Sequence, residues 1–315
     1  MKDIIKKIDR ETIREELSKV RFVRKTNAGN NEIYIFTAHQ SPILMDEVGR
    51  LREETFRSAG GGTGKAADID HYDTDEKPFH QLIVWNAEES EIVGGYRFIH
   101  GKDIPFDDNG NAISATGRLF RFSEEFVNHY LPKTVELGRS FVQPLFQPSR
   151  DQRKGLFALD NLWDGLGSLH VDYPDTEYFF GKITMYPHFN TEARDIIMKF
   201  MSIHFADEDE LVRPFEPIAM NLNAPFLQDL FEGEKYEDDY KVLVREVRAR
   251  GENIPPLVNA YMNLSPTMRV FGTSMNDAFG MVEETGILVT IRDIVENKFN
   301  RYVTSYVNIK NEENK

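Results

Sequence analysis

The apolar runs Leu82-Ile83-Val84-Trp85 and Ile92-Val93-Gly94-Gly95-Tyr96-Arg97-Phe98-Ile99, divided by an acidic turn from Asn86 to Glu91, limit the fold more than any other feature. Runs rich in β-branched and aromatic residues and bounded by turn residues read as strands, so the pair is a hairpin. A helix precedes it. Pro42 suits a first helical position, and Leu44, Val48, Leu51, and Thr55 or Phe56 mark an inner face running to about Arg57. After the hairpin, Thr134 to Phe141 reads as a strand, about Gln152 to His170 as a helix, and Tyr178-Phe179-Phe180-Gly181-Lys182-Ile183 as a strand. Ile33 to Phe36 adds a short early strand and Gly286 to Ile291 a late buried one. Helix, hairpin, then strand-helix-strand predicts an α/β (α+β) fold, with a mixed central sheet and helices on both faces.

A chain of 315 residues with 40% hydrophobic residues can bury one large core, and no repeat or low-complexity linker divides it. The expected organisation is a single domain over 1–315. Residues 190 to 250 form a charged helical elaboration, in which Glu232 to Asp239 is a solvated turn. Ile4, Ile5, Ile8, Ile13, Leu17 and Val20 predict an amphipathic, basic helix over 1–25 that either packs on the domain or meets a membrane surface. A net charge of −14 argues against broad nucleic-acid binding, which rests on neutralising phosphates. No stretch reaches the roughly 18 apolar residues of a membrane span, and Met1-Lys2-Asp3 does not open a signal peptide. The expected location is therefore cytoplasmic, with peripheral contact at the inner face of the membrane the alternative to a basic helix packed on the domain. The absence of cysteine removes thiol nucleophiles, disulfides and thiolate metal sites together.

Chemistry concentrates in a few segments. Glu136-Leu137-Gly138-Arg139-Ser140 places a carboxylate and a guanidinium three residues apart, on opposite faces by strict alternation; a bulge at Gly138 would bring both toward one cleft. Asp68, Asp70 and Asp73 are close enough to raise one another's pKa unless cations sit among them, and Arg52, Arg97 and Arg139 are candidates for those cations. Asp-x-Asp spacing also suits a hard metal, but the glycine and terminal glutamate of a calcium loop are out of register, so no metal is expected. Gly60 to Lys65 fails as a phosphate loop, because Ala59 stands where the first glycine is required and Ala66 where Ser or Thr is; it reads as a flexible lid. Arg150, Arg153, Lys154 and Gly155 precede a helix start, where backbone N–H groups can hold a phosphate. No Gly-x-Ser-x-Gly elbow and no paired histidines are present, which disfavours hydrolase chemistry.

Taken in order, Leu51-Arg52-x-x-x-Phe56, Asp68-x-Asp70-x-x-Asp73, His80-x-Leu82-x-Val84, Val93-Gly94-Gly95-Tyr96-Arg97, Ser123-Glu124-Glu125-Phe126 and Glu136 to Ser140 resemble the N-acyltransferases of ornithine and glycine lipid synthesis. These form a hemolysin-like branch of the GNAT superfamily, related to the acyl-homoserine-lactone synthases. The match covers about residues 40 to 190, and Ile254 to Tyr261 with Phe279-Gly280 resembles the branch's C-terminal region. Two departures stand out: Phe79 replaces a carboxylate before the hairpin histidine, and Gln147 to Leu156 lacks the glycine pattern of coenzyme-A-dependent GNAT enzymes.

The resemblance implies a GNAT-like fold and an enzyme that moves a long-chain, 3-hydroxyacyl type of fatty acyl group to the amine of glycine or ornithine. The donor would be the phosphopantetheine thioester of acyl carrier protein, or acyl-coenzyme A, with no tightly bound cofactor. It further implies Glu136, Arg139, Asp70 and Asp73 as the catalytic group and Arg52, Phe56, Arg97, Phe141 and Val142 as the acceptor and oxyanion surface. Arg150, Arg153, Lys154 and Gly155 are candidates to dock the donor, a plain solvated helix start being the alternative, and Phe120, Phe122, Phe126, Phe141 and Phe179 are candidates for an acyl tunnel, a plain core role being the alternative for each. A synthase of diffusible acyl-amino-acid signals, or a non-catalytic module binding acyl carrier or membrane, are the alternative readings.

Overall fold

The computed structural model describes residues 1–147, 155, 157–219, 221 and 224–313. Its strands, in chain order, are β1 (Arg21–Lys25), β2 (Glu32–Phe36), β3 (His80–Asn86), β4 (Glu91–His100), β5 (Phe120–Phe122), β6 (Thr134–Val142), β7 (Tyr178–Met185), β8 (Val212–Pro214), β9 (Arg269–Asn276) and β10 (Val282–Thr290). Its α-helices are α1 (Arg10–Leu17), α2 (Pro42–Ser58), α3 (His71–Thr74), α4 (Ala158–Asp172), α5 (Thr191–His204), α6 (Tyr236–Ala249), α7 (Pro256–Met262), α8 (Glu296–Phe299) and α9 (Ser305–Glu313). Eight strands make one sheet in the order β1-β2-β3-β4-β6-β7-β10-β9, and β5 pairs with β8 as a separate ribbon. The mixed sheet with helices on both faces is the predicted fold class.

Among the described strands only β6 and β7 pair in parallel, and their register holds for just Thr134–Tyr178, Val135–Phe179 and Glu136–Phe180. Beyond those pairs β6 continues to Val142 and β7 to Met185, so the two strands splay. On its other side β6 stays paired to β4, where Gly138 faces Arg97 and Phe141 faces Gly95. Two residues of β6 therefore oppose one of β4. That is a β-bulge, and its first residue, Arg139, has φ 50°. The sequence placed the bulge at Gly138; the left-handed position falls one residue later, on an arginine.

Alternation along the strands divides the core. Leu82, Tyr96, Phe98 and Leu137 face α4, packing with Leu162, Leu166 and Leu169 in a cluster that also holds Ile196, Phe200, Leu243 and Val247 of α5 and α6. The charged helical segment thus contributes its apolar stripe to the main core. Ile83, Trp85 and Phe141 face α1 and α2 on the opposite side. Helix α2 starts where expected: the Ser41 side chain accepts from the Leu44 N–H at 3.2 Å and Pro42 fills the first turn. A glycine inside this helix has a packing reason, since a Cβ on Gly49 would sit 2.6 Å from Cγ1 of Ile69. Its absence lets the acidic segment lie against α2.

The chain's beginning differs from expectation. Asp9 caps α1 by accepting from the Glu11 and Thr12 N–H groups, so the helix is confined to Arg10–Leu17. Residues before it run as a strap, with the Lys2 and Ile5 N–H groups donating to the Gly64 and Ala66 carbonyls. The predicted basic helix over 1–25 is instead a strap, a short helix and β1. The glycine loop beneath the strap is held as well. Glu53 accepts from the N–H groups of Thr63 and Gly64, and a Cβ on Gly280 would lie 2.9 Å from the Gly61 Cα. These glycines permit a close backbone crossing, where the sequence suggested a free lid. Among the described residues, no helix is long and apolar enough to cross a membrane.

Candidate active site

Helix α2, α3 with the segment before it, and strands β3, β4 and β6 bring the charged residues together on the α2 face of the sheet. Arg52 Nε lies 3.0 Å from Asp68 Oδ2, and its two terminal nitrogens meet Asp73 at 3.3 and 3.2 Å. Arg97 Nη1 donates to Asp70 at 2.6 Å and to Asp73 at 3.1 Å. The bulge turns Arg139 to this same face, where its Nε is 2.8 Å from Asp68 and its Nη2 3.6 Å from Asp70. Gln81 completes the set, donating to Asp73 at 3.0 Å. Three guanidinium groups thus match three carboxylates, and Arg52, Arg97, Asp68 and Asp73 are buried.

Burial alone would raise these carboxyls. The neighbouring Arg139 and Arg52 more than offset it at Asp68, and Arg52 and Arg97 do so at Asp73, so both stay below their ordinary value of 3.8. Folded-state values lower than the unfolded ones mean that this contribution to stability is complete above about pH 4 and is lost as pH falls through the folded values. Denaturant titrations are therefore expected to show a steep loss of stability below about pH 4. A flat profile there would contradict the network's charge state.

Glu136 occupies the last paired position before the strands splay. It is 1% exposed. Its Oε1 accepts the Thr116 N–H at 2.8 Å, while Oε2 is buried with no hydrogen-bond partner among the described residues. Arg97 Nε is likewise buried and unpartnered. Gly138, paired with Arg97 and two residues from Glu136, lies on the same face, and a Cβ built there would meet nothing nearer than Arg97 Nε at 4.0 Å. The unpartnered Arg97 N–H thus borders the space left open by the missing side chain, and Glu136, with its unpaired oxygen, stands on the same face.

Across the splay, β7 and β10 supply a second wall that the sequence did not flag. Lys182 Nζ donates to the Ala115 carbonyl at 2.9 Å and approaches Thr116 Oγ1 at 3.4 Å, and Glu284 Oε2 is 3.7 Å away. Burial, reinforced by Glu284, pushes the Tyr186 hydroxyl up to about 12. The ring of Phe279 lies 4.2 Å from the Arg139 guanidinium carbon.

Other candidate residues divide. Asp70, Asp73, Arg52, Arg97, Arg139 and Glu136 share one region. Phe56 is buried and packs on Phe279, the two rings lying edge to face at 5.0 Å. Phe141 packs its side chain into the α1 and α2 core, while its backbone and that of Val142 follow the bulge on β6. The five phenylalanines proposed for one tunnel occupy separate places: Phe120, Phe122 and Phe126 share a cluster with Phe180, Phe141 lies in the α2 core, and Phe179 is on the α4 face. Arg150, Arg153 and Lys154 lie outside the described residues, and Gly155 is buried.

Comparison with known proteins identifies the family. The family model described as an acetyltransferase (GNAT) domain matches residues 51–153. A protein of Phocaeicola vulgatus named glycine N(alpha)-acyltransferase is 53% identical over 307 residues, covering 98% of this chain and 94% of that protein. Its namesake in Bacteroides thetaiotaomicron is 52% identical over 307 residues, covering 98% of this chain and 91% of its own length. No solved structure matches the chain.

Proposed function

The chain belongs to the GNAT N-acyltransferase family of these relatives, and we propose that it acylates the α-amine of glycine with a long-chain, 3-hydroxyacyl type of fatty acyl group. The donor is the phosphopantetheine thioester of acyl carrier protein, with acyl-coenzyme A presenting the same thioester. The product, an N-acylglycine, is a lyso-aminolipid, as the resemblance to the aminolipid-building, hemolysin-like branch implies. Glycine is favoured over ornithine by the names of the two relatives.

One observation carries the reading: a buried glutamate, with one oxygen fixed by Thr116 and the other unpaired, stands where two parallel strands part. A thioester tail entering that gap sets its carbonyl against the unpaired stretch of β6. Amine attack on a thioester requires a neutral amine, so Glu136 takes an amine proton directly or through water. The C–N bond then forms, and the carbonyl oxygen becomes an oxyanion, held by β6 backbone N–H groups near Phe141 and Val142. Collapse breaks the C–S bond, the proton taken from the ammonium passes to the departing thiolate, and the nitrogen sheds its second surplus proton to solvent as the amide forms. Asp70, Asp73, Arg52 and Arg97 hold the strands and α2 in register around the glutamate. Incubation with acyl carrier protein charged with several chain lengths and a pool of amino acids, read by mass spectrometry, should yield N-acylglycine above all other products. A profile dominated by another acceptor, or empty, would overturn the assignment.

A further inference from the structure

We infer that Lys182 is the residue that binds the acceptor's carboxylate, and so distinguishes an amino acid from a simple amine. The inference deepens the reading above and rests on it. An amino-acid acceptor brings a carboxylate into a buried site, where it needs a cation. The charges of the arginines at the site are already paired. Arg52 is bound to Asp68 and Asp73, Arg97 to Asp70 and Asp73, and Arg139 to Asp68 and Asp70. A carboxylate approaching any of them meets the aspartates as well, and like charges at that range repel.

Lys182 differs. Its ammonium carries three donors, two of them met by the neutral Ala115 carbonyl at 2.9 Å and the Thr116 hydroxyl at 3.4 Å, and its ion-pair partner, Glu284, stands at a long 3.7 Å with that oxygen already accepting from Asn276. Its side chain is 10% exposed, so an added ion pair there is little screened. It is also correctly placed. Thr116 joins the two walls, its N–H holding Glu136 and its hydroxyl facing Lys182. A base for the amine on β6 and a cation for the carboxylate on β7 thus flank one residue, matching the two ends of an α-amino acid.

The test uses the full chain and steady-state kinetics with acyl carrier protein as donor carrier, comparing glycine with glycinamide, which keeps the amine and removes the charge. Wild type should prefer glycine. Lys182→Met should raise the KM for glycine by roughly 10- to 100-fold, the worth of a charge-assisted contact, with a much smaller change in kcat. It should also erase the preference over glycinamide, and Lys182→Arg should restore part of it. Thermal unfolding monitors the fold, and if the methionine variant is unfolded, Lys182→Gln, which keeps a donor for the Ala115 carbonyl, takes its place. An unchanged glycine KM and an unchanged acid-to-amide preference would overturn the inference while leaving the N-acyltransferase reading intact. If wild type accepts a different amino acid, the glycine assignment falls, and that acceptor and its amide decide the role of Lys182 in the same way. A chain that acylates no amino acid overturns both.

Discussion

Glu136→Gln is expected to lower kcat for acyl transfer by roughly 10²- to 10⁴-fold, the usual contribution of a placed general base. The substitution is close to isosteric. Glutamine keeps a carbonyl oxygen for the Thr116 N–H and puts its amide nitrogen where the unpaired Oε2 stood, so unfolding should be little changed. The variant's rate should recover as pH rises, because more of the amine then loses its proton without help. Turnover within a fewfold of wild type at neutral pH would remove Glu136 as the base.

Arg52→Met should have the largest effect on stability. Removing one partner of a buried ion pair leaves the other uncompensated, a loss of about 3–5 kcal/mol. Here one guanidinium serves two carboxylates that are themselves fully buried, and methionine offers neither. Denaturant midpoints would register the loss directly. A cost under about 1 kcal/mol would be that of an exposed pair and would mean that the network does not hold the site together.

Much of the fold was legible because local chemistry and tertiary packing agree. The inner face of α2, the hairpin of β3 and β4, and β6 are all marked by apolar periodicity that the core then uses. The start of the chain misled because its isoleucines recur at near-helical spacing. Asp9, a capping residue two positions before Glu11, was the signal that the helix begins only there.

The order of the charged clusters was equally legible, although their geometry was not. Arg139 reaches the α2 face by adopting φ 50°, a conformation arginine rarely takes and no spacing rule foresees. Lys182 sits in Phe179-Phe180-Gly181-Lys182-Ile183, which reads as a buried strand with one polar break. Its meaning comes from the parting of β6 and β7, a relation between strands far apart in sequence. Glu284 was hidden for the same reason, on a strand that reaches β7 only through long-range pairing.

The two walls of the site have different origins in the chain. Every member of the Arg and Asp network falls between Arg52 and Arg139, whereas Lys182, Tyr186, Phe279 and Glu284 come from later segments. The two halves can therefore be altered separately. If Lys182 holds the acceptor's carboxylate as inferred, substitutions on β7 and β10 will change which amine is admitted while leaving the earlier half's Arg and Asp network in place.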